Sequence, residues 1–433
     1  MTEALAVYPR ISLKVAALLA LCCTTFVVCA ADYQLDGIIL AGNGKTRDEV
    51  LLRELDFSDG MLVSAERIER GRKSIMALGL FTTVETDFFP TTTGHQLLIS
   101  VQEKYFFLPM PIINRNGDGD WTYGGISQAD NLFGLNQQLK VSFRRKDYRN
   151  GDIERENQLQ VLYRAPAIDS NSLGLELKLH RERALLNEKR KDRVGRYNRL
   201  LTSGKFTISL PFGSLESHRR WIISLGLQRQ VYDHSLLSGD SGLFYDTNAH
   251  TLIVRADKKI VELFLGGRTG YSLGHEIQRT TAAGQTTAQY LFFFKSYQYL
   301  SVLNKAQVHT QLRIGICSGS VFGDPCFSLG GDTTIRGIQR GSIEGDIFVL
   351  SNTQLLIPLL QRQFLRGVIF LDIGGATDHL NNNEAHKQVV AGVGGGVIWK
   401  LRRFVGTDLR IELARGLGAG GKNRIYAATS MLF

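Results

Sequence analysis

The chain of 433 residues holds eight prolines against 45 glycines, and only five cysteines, of which Cys22, Cys23 and Cys29 fall in the first 29 positions. So few cysteines exclude a disulfide-dense scaffold, and their spacing offers no zinc cluster. After Ala31 no apolar run approaches the ~20 residues that a membrane helix needs. If the chain enters a membrane, it does so as strands. There is no nucleophile elbow and no paired-histidine zinc helix, and His275-Glu276 lacks its second histidine. The chain is therefore read as non-enzymatic. The glycine-rich stretch Gly416 to Lys422 looks like a nucleotide loop, but such loops need a following helix whose amides hold phosphate. Here a strand pattern follows, so no cofactor is expected. The net charge of +10 would suit nucleic acid, but the export signal described next argues against it, and anionic lipid is the better counter-charge.

What is present starts with the leader. Arg10 and Lys14 precede a mostly apolar stretch, Val15 to Val28, which is short for a bilayer span. Small residues, Ala30 and Ala31, close it, so residues 1–31 are read as a signal peptide, with an N-terminal anchor as the alternative. The remaining thiols, Cys317 and Cys326, would then reach an oxidising compartment. They are read as a pair, with two free thiols as the alternative.

Residues 32–103 read as a small α+β domain of order β-α-α-β-β. Thr46 and Glu49 have the spacing of a capping box, and a second helix starting near Ser64 puts Ile68, Ile75 and Leu78 on one face. Gly79 stands at its C-terminal end. Leu80 to Val84 and Leu97 to Val101 then alternate as strands.

From Tyr105 the helical period gives way to period-two alternation. Leu175, Leu177 and Leu179 interleave with Glu176, Lys178 and His180; Ile411 and Leu413 interleave with Arg410 and Glu412. One apolar and one polar face over about ten residues is the strand pattern of a membrane barrel, and the averaging of the two explains the unremarkable mean hydropathy of −0.07. A soluble β-sandwich is the alternative. Tight connections such as Pro211 to Gly213 alternate with long ones, among them Leu185 to Arg196, Asp233 to Phe244 and Ser318 to Ser342. That alternation predicts about sixteen antiparallel strands, with the barrel occupying residues 104–433. The basic run from Arg181 to Arg196 is placed in an outer loop, where it would meet lipopolysaccharide phosphates or solvent. Pro109 and Pro111 lie in the expected first strand and remove ladder donors.

Several stretches, in order, resemble the BamA/TamA outer-membrane assembly superfamily, the surface-antigen barrel. Residues 33–103, with Ala77-Leu78-Gly79-Leu80-Phe81, resemble one POTRA domain. Asp130 to Gly134 resembles the first periplasmic turn. Gly330-Gly331-Asp332-Thr333-Thr334-Ile335-Arg336-Gly337 resembles the sixth-loop motif. Phe370-Leu371-Asp372-Ile373-Gly374 resembles its partner strand, and Phe433 the terminal aromatic. Asp372 is in phase with Val368 and Phe370, opposite the lipid-suited Ile369, Leu371 and Ile373, so it should face the lumen; the resemblance implies that it pairs there with Arg336, with Arg336 as a solvated loop cation the alternative. Two positions depart from the family. Gln354 stands where an acidic residue is usual, which leaves Asp372 as the main counter-charge, and Ile338 replaces an aromatic.

The resemblance implies a bacterial outer-membrane protein with its POTRA-like domain in the periplasm. It would act in barrel insertion or protein translocation through a seam between the first and last strands. Expected partners are unfolded outer-membrane or secreted clients, outer-membrane lipids and lipopolysaccharide, with accessory lipoproteins as candidates. A passive pore or surface antigen is the alternative.

Overall fold

In the computed structural model, the described residues are 32–428, apart from 116–118, 150–152, 169–172, 191–192, 214–220, 265–266, 302–304, 320–325, 361, 378–387 and 401–407. Residues 1–31, read above as a signal peptide, and Phe433 therefore lie outside the described residues.

The first unit contains β1 (Asp32–Ala41), α1 (Asp48–Leu52), β2 (Leu62–Ser64), α2 (Ala65–Ala77), β3 (Phe81–Pro90) and β4 (His95–Glu103). Its four strands are ordered β2-β1-β4-β3, with only the β1–β4 pair parallel. The short β2 between the helices was not anticipated. The Ser64 hydroxyl caps α2 by accepting from the Arg67 amide at 3.3 Å, and Ile68 and Ile75 face a core shared with Leu35, Phe81, Leu97 and Ile99. Gly79 takes φ +76° just past the helix, where a side chain would be strained.

Thr46 is a correction. Arg47 is the N-cap residue of α1 and makes no side-chain cap, because the Thr46 hydroxyl is engaged elsewhere and donates to Glu103 Oε1 at 2.6 Å. A long-range charged acceptor has displaced the local cap.

The second unit is one antiparallel sheet of sixteen strands. It begins with β5 (Phe107–Arg115), β6 (Trp121–Leu132), β7 (Gln137–Asp147), β8 (Ile153–Ala165), β9 (Gly174–Arg190) and β10 (Arg193–Phe212). Next come β11 (Trp221–Gly239), β12 (Thr247–Phe264), β13 (Gly267–Ala282), β14 (Gln285–Leu300) and β15 (Ala306–Ser318). After the small ribbon β16 (Phe327–Leu329) and β17 (Ile343–Gly345), the sheet resumes with β18 (Ile347–Leu359), β19 (Arg362–Thr377), β20 (Gln388–Lys400), β21 (Asp408–Leu417) and β22 (Asn423–Ala428). This is the sixteen-stranded barrel with an α+β domain before it that alternation and loop rhythm predict.

The faces separate as period two requires. Leu177, Phe206, Ile208, Leu225, Ile369 and Ile411 are exposed on the outside, while Glu182, Ser203, Ser224, Glu276 and Glu412 are buried on the inside. Among the described residues no helix is long and apolar enough to cross a membrane.

Strand length differs from expectation. β10 is 20 residues and β11 is 19, and of the segment read as a basic outer loop, Arg181 to Arg196, the described residues are the paired ends of β9 and β10, with Arg183 opposite Leu200 and Arg196 opposite Asn187. Likewise β11 runs on to Gly239. The ladder outlasts the apolar band because backbone hydrogen bonds need no apolar face. Pro211 and Phe212 belong to β10, and eight residues separate it from β11.

Candidate functional site

The loop between β15 and β18 folds back inside the barrel, which places the resemblance-derived residues against one wall. Cys317, at the end of β15, is joined to Cys326 by a disulfide that closes the root of the loop. Gly330 and Gly331 follow with φ +111° and +95°; a Cβ on Gly330 would overlap the Gln339 carbonyl oxygen, so the sharp re-entry needs glycine. Ile335 and Ile338 then bury completely against Phe348, Leu350, Ala376 and Val390. Gly374 makes room for this: a Cβ there would press on Ile335 Cδ1 at 2.9 Å.

Arg336 sits between these two isoleucines and is 1% exposed; Asp372, on β19, is 0% exposed. Arg336 Nε and Nη2 donate to the two oxygens of Asp372 at 2.8 Å each, and the Arg336 amide adds a bond of 3.0 Å. This is a bidentate, fully desolvated pair, the geometry that a guanidinium and a carboxylate favour. Asn352 Nδ2 completes the carboxylate, donating to Asp372 Oδ1 at 2.9 Å and to the Thr334 carbonyl at 2.6 Å. The guanidinium lies 3.4 Å from the Phe370 ring centroid.

Two partners were missed from sequence. Glu412 of β21 accepts from Arg336 Nη1 at 3.1 Å, so Asp372, which takes the two shorter side-chain bonds, is joined by a second carboxylate from another strand where Gln354 supplies none. The signal was available, since Glu412 falls on the polar phase of the Leu409 to Leu413 alternation. The second group is on β22. The Gly337 amide donates to Tyr426 Oη at 2.9 Å, and Arg424 Nη1 donates to the Gly337 carbonyl. Glycines on the wall let the loop approach this closely: a Cβ on Gly392 would overlap the Arg336 carbonyl, and one on Gly416 the Gly337 carbonyl. One loop thus touches β18, β19, β20, β21 and β22 together.

The last strand forms one side of a discontinuity. β22 and β5 end the sheet order and share no ladder among the described residues, although their Cα atoms come within 8 Å. Pro109 and Pro111 lie on β5. The Asp130 amide donates to the Phe106 carbonyl, so the even-numbered residues of β5 carry the bonds to β6, given the register Leu108–Gln128 and Met110–Ile126. The two prolines are at the alternate positions. Their missing N–H groups therefore face β22, across the discontinuity.

The small domain meets the barrel at the end where β6 turns into β7. Asn131 donates to the Thr46 hydroxyl at 2.8 Å, and the Arg47 amide and Nε donate to the Gly134 and Phe133 carbonyls at 3.0 Å. Burial pushes the Lys104 ammonium below its usual range, with Asp130 opposing. On the opposite side, Lys73 of α2 pairs with Glu262 of β12 at 3.1 Å. Between α2 and the inner wall is a cavity of about 980 Å³ lined by Arg70, Lys73, Lys205, Arg255 and Glu276 among others.

Comparison with known proteins agrees with this geometry. The model of the Omp85 superfamily domain matches residues 131–404, and that of the surface antigen variable number repeat, a POTRA domain, matches residues 33–104. Over 67 residues the chain is 30% identical to the outer membrane protein assembly factor BamA of Nitratidesulfovibrio vulgaris, a stretch that is 16% of this chain and 8% of that protein's length. In fold it is similar to CdiB from Escherichia coli (TM-score 0.66, 14% identical, 91% of this chain and 76% of that one). It is also similar to BamA from Haemophilus ducreyi lacking POTRA domains 1–3 (TM-score 0.54, 17% identical, 91% and 84%).

Proposed function

Because the chain belongs to the Omp85 superfamily, we propose that it works in a bacterial outer membrane, inserting or translocating other polypeptides without catalytic chemistry. The small domain then lies in the periplasm, and the opposite barrel end faces the cell exterior. The observation that carries this reading is the discontinuity between β5 and β22. Unpaired backbone at membrane depth is costly because lipid offers no hydrogen bonds. A client strand can satisfy the edge of β22, while on the β5 side two prolines withhold donors that would otherwise close the gap. The ten-residue edge strand β3 supplies a second place for strand addition by an extended client.

The loop holds β22 by Tyr426 and Arg424 and holds its neighbours by Asp372 and Glu412. One side of the seam is thereby kept in shape while the other is free to part from it. In this reading the loop is a brace for the edge that receives the client.

The test is reconstitution of the mature chain in liposomes, with folding of an unfolded barrel client followed by protease protection. The native chain should accelerate client folding several-fold, and Pro109→Thr/Pro111→Thr, which restores the two donors, should slow it. If correctly folded native protein gives no acceleration, the chain is a passive pore or surface antigen instead.

A further inference from the structure

The far halves of β9 to β13 carry an arrangement on their outward face that the seam does not use. Below, the outward positions are apolar: Leu177, Phe206, Leu227 and Leu252 are exposed there. Immediately above, they become cationic. Arg181, Arg183, Arg229 and Arg279 are exposed, as is His250. Register sets them side by side. Arg229 is directly opposite His250, Leu227 opposite Leu252, and Leu252 opposite Arg279. Among the described residues these four arginines have no carboxylate within ion-pair distance. On the outward positions of the far halves of these strands the one carboxylate is Asp233, four places along β11 from Arg229.

Such a placement is unfavourable by itself. An arginine on the lipid face is destabilising at the midplane, and the cost falls away toward the interface. An anion at this level relieves that cost. The surface there is concave: a groove of about 440 Å³ is lined by Leu177, Phe206, Leu227 and Leu252 together with Arg229, His250 and Arg279. Its floor is Gly204, opposite Arg229 on β10, where the absent side chain leaves space. The groove thus has apolar walls toward the membrane centre and cations toward the exterior.

We propose that this groove binds a phosphate-bearing, acylated glycolipid of the outer leaflet, lipopolysaccharide, through its lipid A part. An acyl chain lies along Phe206, Leu227 and Leu252 above the Gly204 floor, and a phosphate bridges Arg229, His250 and Arg279. The site rests on the membrane placement proposed above, but not on client insertion. Its test therefore reads lipid retention and uses no client.

The full mature chain, reconstituted in vesicles of phosphatidylcholine with lipid A, would be extracted into detergent and its co-purifying lipid counted by native mass spectrometry. Native protein should retain lipid A through delipidation. The double variant Arg229→Gln/Arg279→Gln should lose retention by roughly tenfold or more, the scale of losing charge-assisted bonds to phosphate. Gly204→Phe, which fills the groove and leaves every cation in place, should lose it as well. A third arm needs no variant: native protein should retain lipid A stripped of its phosphates as poorly as the charge variant retains the intact lipid. Equal retention of the dephosphorylated lipid, equal competition by phosphatidylglycerol, or full retention in the folded variants would each overturn the assignment.

Discussion

Strands β10, β11 and β12 run 20, 19 and 18 residues, whereas β18, beside which the inward loop docks, runs 13. The tall wall is held chiefly by its own ladder, with Gly195 to Phe212 paired against β11 across a single register shift between Arg196 and Tyr197. Its inner charges are partly wet, as in the Arg199–Glu182 pair, whose arginine side chain is 25% exposed. In the shorter wall the inner charges are dry: Arg336, Asp372 and Glu412 are nearly or fully buried. There an inward loop with a desolvated ion network adds to what the ladder holds. The same wall ends at β22, which shares no ladder with β5 among the described residues.

If that division holds, Arg336→Ala should have the largest effect. It leaves Asp372 buried without its cation, which costs about 3–5 kcal/mol for a desolvated pair, and it should lower the temperature at which the folded band converts in cold-loaded SDS gels. Arg199→Ala on the tall wall should cost no more than about 1 kcal/mol, in line with partly solvated pairs. Equal losses would erase the distinction. The disulfide ranks next. Cys317→Ser/Cys326→Ser frees the loop root and should cost about 2–3 kcal/mol in the chain-entropy account, with urea unfolding as the measure; no change would show that the ion network alone holds the loop. Restoring donors at the seam is smaller and opposite in sign. Pro109→Thr/Pro111→Thr should stabilise the barrel by about 1 kcal/mol per new ladder bond, seen as a higher conversion temperature. The smallest effect is expected at the domain joint, where Lys73→Ala removes an exposed pair worth about 0.2–1 kcal/mol and should leave barrel stability unchanged within that range.

The outward stripes of the sheet were legible because burial on one side and lipid on the other impose period two, as at Leu175 to Leu179 and Ile411 to Leu413. The upper parts of β9, β10 and β11 were not. Above the apolar band the alternation breaks down, with Leu185 beside Leu186 and Leu200 beside Leu201, so the period-two signal stops while hydrogen bonding continues, and Arg181 to Arg196 read as loop. Arg336 and Asp372 could be paired by phase and motif. Glu412 could not, although its phase was visible, because nothing local says that a loop reaches 76 residues along the chain. Thr46 failed in the converse way: a good local cap was overridden by Glu103 and Asn131, both distant in sequence.

The loop also dictates an order of assembly. Its bonds to Asn352 and Asp372 span 18 and 36 residues, while those to Tyr426 and Arg424 span 89 and 87. Longer closures carry a larger entropic cost and form later. Gly337 touches both the backbone at Gly416 and the side chains of Tyr426 and Arg424, so the loop and the last hairpin fix each other. On this account the loop docks on β18 and β19 before its contacts reach β22, and the contacts of the last strand are fixed latest.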